Sequence, residues 1–358
     1  MPDIKKTLSD IGETVYEALT DEENARICDD IDEAACRERP LSFLLILVSS
    51  FLTKLGDALS SPKTTLAWTA TAVGAPAFVL GFLVPIRESG SMVPQLFIGS
   101  YIRQLALRKW VWVAGSLLQF LAVVSMGLVV LWLEGATAGW ALLALVTLFS
   151  LARGFCSVAA KDVMGKTIPK PKRGQLTGWS ASLAGAVAIG VGIVLMLPSD
   201  GRLGEATLGL LLMLAGALWL LASLVYAQVP EQPGETGGAR NAVEALRQLR
   251  LLATDRPFRR FVITRALLMC SALSAPFYVA LAQQNYGSPA YLLGAFVISA
   301  GVASLVSAPF WGLFADVSSK RVMIAAALVT SSAGLVTLLV NTQFPDLSGT
   351  VWFLPVAY

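Results

Sequence analysis

The stretch from Gly74 to Arg108 recurs, without a gap, 213 positions later as Gly287 to Arg321. Eleven of the 35 aligned positions are identical. Gly74, Pro76, Ala77, Leu80, Gly81, Val84, Ser91, Val93, Phe97, Gly99 and Arg108 meet Gly287, Pro289, Ala290, Leu293, Gly294, Val297, Ser304, Val306, Phe310, Gly312 and Arg321. A repeat of this length restricts the chain to folds built from equivalent multi-element halves. Parallel repeats of helix bundles are how one large class of solute carriers is assembled.

Composition then decides the solvent. With 55% hydrophobic and 14% charged residues, a soluble fold could not hydrate its own surface, so the bilayer is expected to cover it. Apolar spans long enough to cross as helices are read at 42–69, 79–102, 110–133, 138–164, 178–198, 205–228, 259–284, 290–313 and 322–341, with a tenth starting near Thr350. The result expected is an all-α membrane protein of two pseudo-equivalent six-helix halves. The 213-residue offset sets Tyr358 against Leu145, early in span 4. The chain is therefore expected to stop in about its tenth span, as a C-terminally truncated piece of a parent of about 440 residues.

Basic residues orient the spans. Of the 27 Lys and Arg, twenty fall in the N-terminal tail and the loops on its side, and only Arg202 falls in a loop on the other. By the positive-inside rule the tail and basic loops lie in the cytoplasm, and the plasma membrane (the inner membrane of a bacterium) is the expected location. The domains expected are a cytoplasmic tail over 1–40, a six-helix half over 41–228, a linker over 229–257 and an incomplete second half over 258–358. The linker carries an amphipathic segment from Asn241 to Leu252. The tail's acidic run (Asp21, Glu22, Glu23, Asp29, Asp30, Asp32, Glu33) reads as a solvated segment.

Charged residues inside the spans are costly, roughly 2.5–3.5 kcal/mol at the bilayer centre on insertion scales, and persist where they pair or face a water-filled cavity. Lys54, Asp57, Arg87, Glu88 and Arg153 fall close to one depth, near the midplane of spans 1, 2 and 4. Ser50, Lys54, Asp57, Ser61 and Thr64, spaced four, three, four and three, form one polar stripe on span 1. Glu88, Ser91 and Gln95 form another on span 2. Each stripe reads either as a cavity wall or as an internal lock, with Lys54 paired to Asp57 at i,i+3 and Arg87 to Glu88 or span 1. Arg265, two turns into span 7, divides between snorkelling and cavity lining. Cations outnumber acids at this depth, so an anionic substrate group is a candidate, and Glu88 ranks ahead of Asp57 as the carrier of a coupling proton.

The loop after span 8 reads Gly312-Leu-Phe-Ala-Asp316-Val-Ser-Ser-Lys320-Arg321, and that after span 2 reads Gly99-Ser-Tyr-Ile-Arg103-Gln-Leu-Ala-Leu-Arg108-Lys109. A glycine, three residues, an aspartate and a basic cluster at these two places resemble the major facilitator superfamily. Lys172-Arg173-Gly174-Gln-Leu-Thr-Gly178, entering span 5, is similar too. The resemblance implies cytoplasmic gating loops carried here by Gly99, Arg108, Gly312, Asp316 and Arg321. Arg103 departs from the pattern, standing where the family has aspartate. Span 5 has Gly185, Gly190 and Gly192 but lacks the Gly-Pro motif of drug–proton antiporters, which speaks against drug efflux.

The leading expectation is a secondary transporter that moves a small solute, an organic anion among the candidates, by alternating access and with proton coupling. The alternatives are a non-transporting sensor or scaffold of the same fold, and a membrane-embedded lipid-modifying enzyme. The only adjacent aspartates, Asp29-Asp30, lie in the tail, so no magnesium-binding pair serves an enzyme, and with no histidine no imidazole metal site exists. The expected partners are a small-molecule substrate, a proton and membrane lipid, with no cofactor, no metal and no nucleic acid. A monomer is the family's usual state.

Overall fold

The computed structural model describes residues 2–19, 38–92, 95, 99, 102, 104–197, 204–234, 236, 250–270, 273–287, 289–317, 319–344, 350 and 352–358. The acidic run, Arg103 and most of the amphipathic linker segment lie outside them. Every regular element described is a helix. The first half comprises α1 (Pro2–Leu19), α2 (Arg39–Leu59), α3 (Thr65–Ala72), α4 (Ala77–Ser89), α5 (Lys109–Trp132), α6 (Gly135–Thr167), α7 (Lys170–Met196) and α8 (Glu205–Tyr226). The second comprises α9 (Leu251–Thr254), α10 (Arg256–Cys270), α11 (Ala275–Tyr286), α12 (Ala290–Val317), α13 (Ser319–Gln343) and α14 (Phe353–Ala357). Six of the described helices are long and apolar enough to cross a membrane.

The repeat has a backbone counterpart. Gly74 and Gly287, equivalent in the two copies, both take positive φ, at 70° and 77°. A side chain there would crowd the backbone, so glycine is the residue that turns the chain between the first and second spans of each half. Pro76 and Pro289 follow, and the helices after them begin at the equivalent Ala77 and Ala290.

Span 1, read as one continuous segment, is two helices. α2 ends at Leu59 and α3 starts at Thr65, with Pro62 between them. Proline has no N–H and biases the residue before it away from helix, so the ladder is interrupted there. Span 7 is divided at the matching place, α10 ending at Cys270 and α11 starting at Ala275. Discontinuous spans near mid-depth are typical of carriers, because they release backbone and side-chain polar groups towards a cavity.

Small residues set the closest helix approaches. A Cβ on Gly127 would lie 2.7 Å from the Gly209 carbonyl oxygen, drawing α5 against α8. One on Gly56 would meet the Trp219 ring at 2.8 Å, joining α2 to α8. In a lipid solvent such packing, rather than hydrophobic exclusion, holds helices together. The outward faces stay apolar and exposed, as at Leu121, Trp132, Leu214 and Leu224.

The two halves meet along α7 and α12, and again where α3 packs against α11. The α7–α12 seam is built on glycine in both directions. A Cβ on Gly294 would sit 2.5 Å from the Gly192 carbonyl oxygen, and one on Gly192 would sit 3.0 Å from the Gly294 carbonyl oxygen. Gln283 on α11 donates to the Trp68 carbonyl of α3 at 3.2 Å, in a buried contact between the halves. Both joints involve the ends of these helices remote from the basic loops.

Candidate functional site

A cavity of about 290 Å3 lies where α2, α7 and α12 converge. Lys54, Asp57, Ala58, Ser61 and Thr64 form one wall, Ala181, Ala184, Gly185 and Ala188 the second, and Val297, Ala300, Gly301 and Ser304 the third. Four of the five residues of the predicted span 1 stripe therefore face it, because i, i+3 and i+4 spacing keeps them on one side of the helix. The break at Pro62 leaves Ser61 and Thr64 at its edge. The second half contributes small residues where the first carries charge: by the repeat, Ala300 and Gly301 stand at the positions of Arg87 and Glu88.

Beside the cavity, one carboxylate ties three helices. Asp57 Oδ1 accepts from Arg87 Nη2 of α4 at 2.6 Å and from Arg153 Nη1 of α6 at 2.8 Å. Asp57 Oδ2 lies 2.6 Å from the same Arg153 nitrogen. The Arg87 guanidinium also stacks over Phe149, 4.2 Å from the ring centroid. The i,i+3 lock between Lys54 and Asp57 is thus replaced by an inter-helix one. Guanidinium groups arriving from α4 and α6 can address both carboxylate oxygens, which an ammonium one turn away on the same helix cannot do as well.

Lys54 turns to α7 instead. Its Nζ donates to the Thr177 carbonyl and to Ser180 Oγ, each at 2.7 Å. Lys63 lies 4.0 Å from Glu88, and both side chains are more than a third exposed. Glu88 does not line the cavity, and neither do Ser91 and Gln95, whose side chains donate to the carbonyls of Glu88 and Ser91. Arg265 stands exposed on α10, also outside the cavity lining.

The basic end of the first half holds a second network that sequence reasoning only partly anticipated. Arg108 Nη1 pairs with Asp162 Oδ2 at 3.1 Å. Glu231, in the linker, has a fully buried carboxylate. It accepts from the backbone N–H groups of Arg108 and Lys109 at 3.1 and 2.7 Å and from Lys166 Nζ at 2.8 Å. It therefore caps the N-terminus of α5 with negative charge, where orphan N–H groups and the helix dipole both favour it. Neither Asp162 nor Glu231 is among the candidate residues read from the sequence. The one signal for Glu231 was its place between Pro230 and Pro233, at the point where span 6 ends. Of the other gating-loop residues, Gly99 has open space around it, Gly312 and Asp316 lie on the last turns of α12, and Arg321 is exposed on α13.

Two helical halves that converge on a cavity with one polar wall match the architecture of membrane solute carriers. Residues 44–358 match the profile described as Major Facilitator Superfamily, and the chain belongs to that family. It is an integral membrane protein and a membrane transporter. Comparison with curated protein sequences gives no match. Among solved structures, the fold is similar to the inward open conformation of the xylose transporter XylE from E. coli. That pair is 16% identical with a TM-score of 0.55, over 88% of this chain and 78% of that one. It is also similar to the nucleoside transporter NupG, at 12% identity and a TM-score of 0.54, over 88% and 87% of the two chains.

Proposed function

We propose that the chain is a secondary transporter that carries a small organic anion by alternating access, coupled to a proton. The observation that supports this reading best is the cavity between the halves, with its polar wall on α2 and the glycine seam beside it. Rocking of the halves, which shuts that seam in one state and parts it in the other, exchanges access to the cavity between the two sides. Around the cavity Lys54, Arg87 and Arg153 stand against Asp57, while Lys63 and Glu88 offset each other, and the excess positive charge favours an anion. Asp57 has both oxygens engaged by guanidinium groups. Glu88 faces a single ammonium at 4.0 Å, which makes it the better proton carrier. The basic loops and the tail are assigned to the cytoplasm, in a bacterial inner membrane, and the working unit to a monomer.

Reconstitution into liposomes under an inward proton gradient tests the reading. Labelled pools of organic anions and neutral solutes are screened for accumulation, with and without a protonophore. Accumulation that collapses with the protonophore supports it. Uptake of no solute by folded protein refutes it, and undiminished proton-driven uptake by Glu88→Gln removes Glu88 from the scheme.

A further inference from the structure

The arrangement around Lys54 narrows the substrate class; this step rests on the transport reading above. Three cations surround the cavity, but they are not equivalent. Arg87 and Arg153 are both spent on Asp57, at 2.6 Å each, and neither lines the cavity. Lys54 does line it. Its two bonds go to a carbonyl and a hydroxyl, both neutral acceptors, and Asp57 one turn on is bonded by the two arginines rather than by Lys54. An ammonium carries three N–H donors, and two are used here. A half-buried cation hydrogen-bonded only to neutral groups is a place where a ligand anion gains a charge-assisted bond.

The rest of the wall limits what that anion is attached to. Beyond Ser61, Thr64 and Ser304, the lining is mostly alanine and glycine with Val297. It suits a short aliphatic body and supplies a few hydroxyls. A volume of about 290 Å3 is at the low end for ligand sites, which run roughly 300–1,000 Å3. Among the described residues a second anionic group would meet no free cation, because Lys54 is the one cation in the lining and Arg87 and Arg153 are taken by Asp57. We infer that the cavity binds a small aliphatic monocarboxylate, with its carboxylate on Lys54 Nζ and its carbon chain against the alanine faces of α7 and α12.

The test measures thermal unfolding of the purified full chain in detergent with butyrate, lactate, butyramide and succinate. Butyrate or lactate is expected to raise the melting temperature by several degrees at saturation, since a ligand that binds only the folded state stabilises it. Butyramide and succinate are expected to do so far less. Lys54→Met and Lys54→Gln should both lose the carboxylate effect. The glutamine variant keeps an N–H donor for Thr177 and Ser180, which covers the case in which the methionine variant does not fold. Lys54→Arg should retain part of the effect. Butyramide acting as strongly as butyrate, a carboxylate shift that survives in Lys54→Gln, or no shift with either monocarboxylate overturns the inference. Exchange of labelled solutes in liposomes separates the two levels. Exchange of neutral solutes alone leaves transport standing and removes the monocarboxylate; exchange of nothing removes both.

Discussion

Replacing Gly294 by alanine drives a methyl group into the backbone of the helix opposite. The new Cβ would lie 2.5 Å from the Gly192 carbonyl oxygen, 2.7 Å from Met196 Cγ and 3.1 Å from Met196 N. Ordinary contact begins near 3.4 Å, so the deficit against the carbonyl is about 0.9 Å. The methionine side chain can swing away, but the Gly192 carbonyl belongs to a helix and cannot. α7 and α12 must therefore part, and overpacking of this kind costs roughly 1–3 kcal/mol. The cost falls only on the conformation in which the seam is shut. It therefore shifts the balance towards a state open at this end by about 5- to 150-fold. The assay is labelling of a cysteine at Ser304, which lines the cavity, with a membrane-impermeant thiol reagent added from each side in a background whose native cysteines are replaced. Labelling from the side remote from the basic loops should rise with Gly294→Ala and fall from the other. Unchanged labelling from both sides, in protein that still folds, would refute the gate assigned to this seam.

Asp57→Ala strands two guanidinium groups, so a loss of about 3–5 kcal/mol and a clear drop in melting temperature are expected. Adding Arg153→Leu should recover part of that loss, and a double variant no more stable than the single one would show that the pair is not energetically coupled. Glu231→Ala removes the cap on α5 and the partner of Lys166 together, and should cost about 2–3 kcal/mol. Glu231→Gln, which keeps a carbonyl acceptor, should cost less; equal losses for the two would discount the capping role. Alanine at Gly74 or at Gly287 is expected to cost about 1–2 kcal/mol each, from the positive φ alone. Neither has a neighbour within 4 Å of a Cβ, so any much larger effect would point to something other than backbone conformation.

Much of the site's placement was legible along the chain, for reasons particular to each residue. The stripe from Lys54 to Thr64 faces the cavity because helical spacing alone decides which residues share a side. That Arg87 and Arg153 stand level with Asp57 followed from their positions within apolar spans of fixed rise. Pro62 announced a break that was nevertheless read through, since the apolar run continues on both sides of it. Glu231 was passed over because a lone acid between prolines looks like any linker residue until α5 is placed above it.

What the sequence by itself determined is the two-half helical architecture and the shared level of Asp57, Arg87 and Arg153 along their helices. These depend on periodicity, span length and local backbone sterics, which neighbouring residues settle among themselves. Only the tertiary structure decided who pairs with whom. Asp57 meets an arginine 30 residues away and another 96 residues away, and Lys54 reaches a serine 126 residues away. Those choices depend on the rotation of each helix about its axis. That rotation is set by close contacts such as Gly192 with Gly294 and Gly56 with Trp219, and distances in space of a few ångströms have no counterpart in one-dimensional spacing.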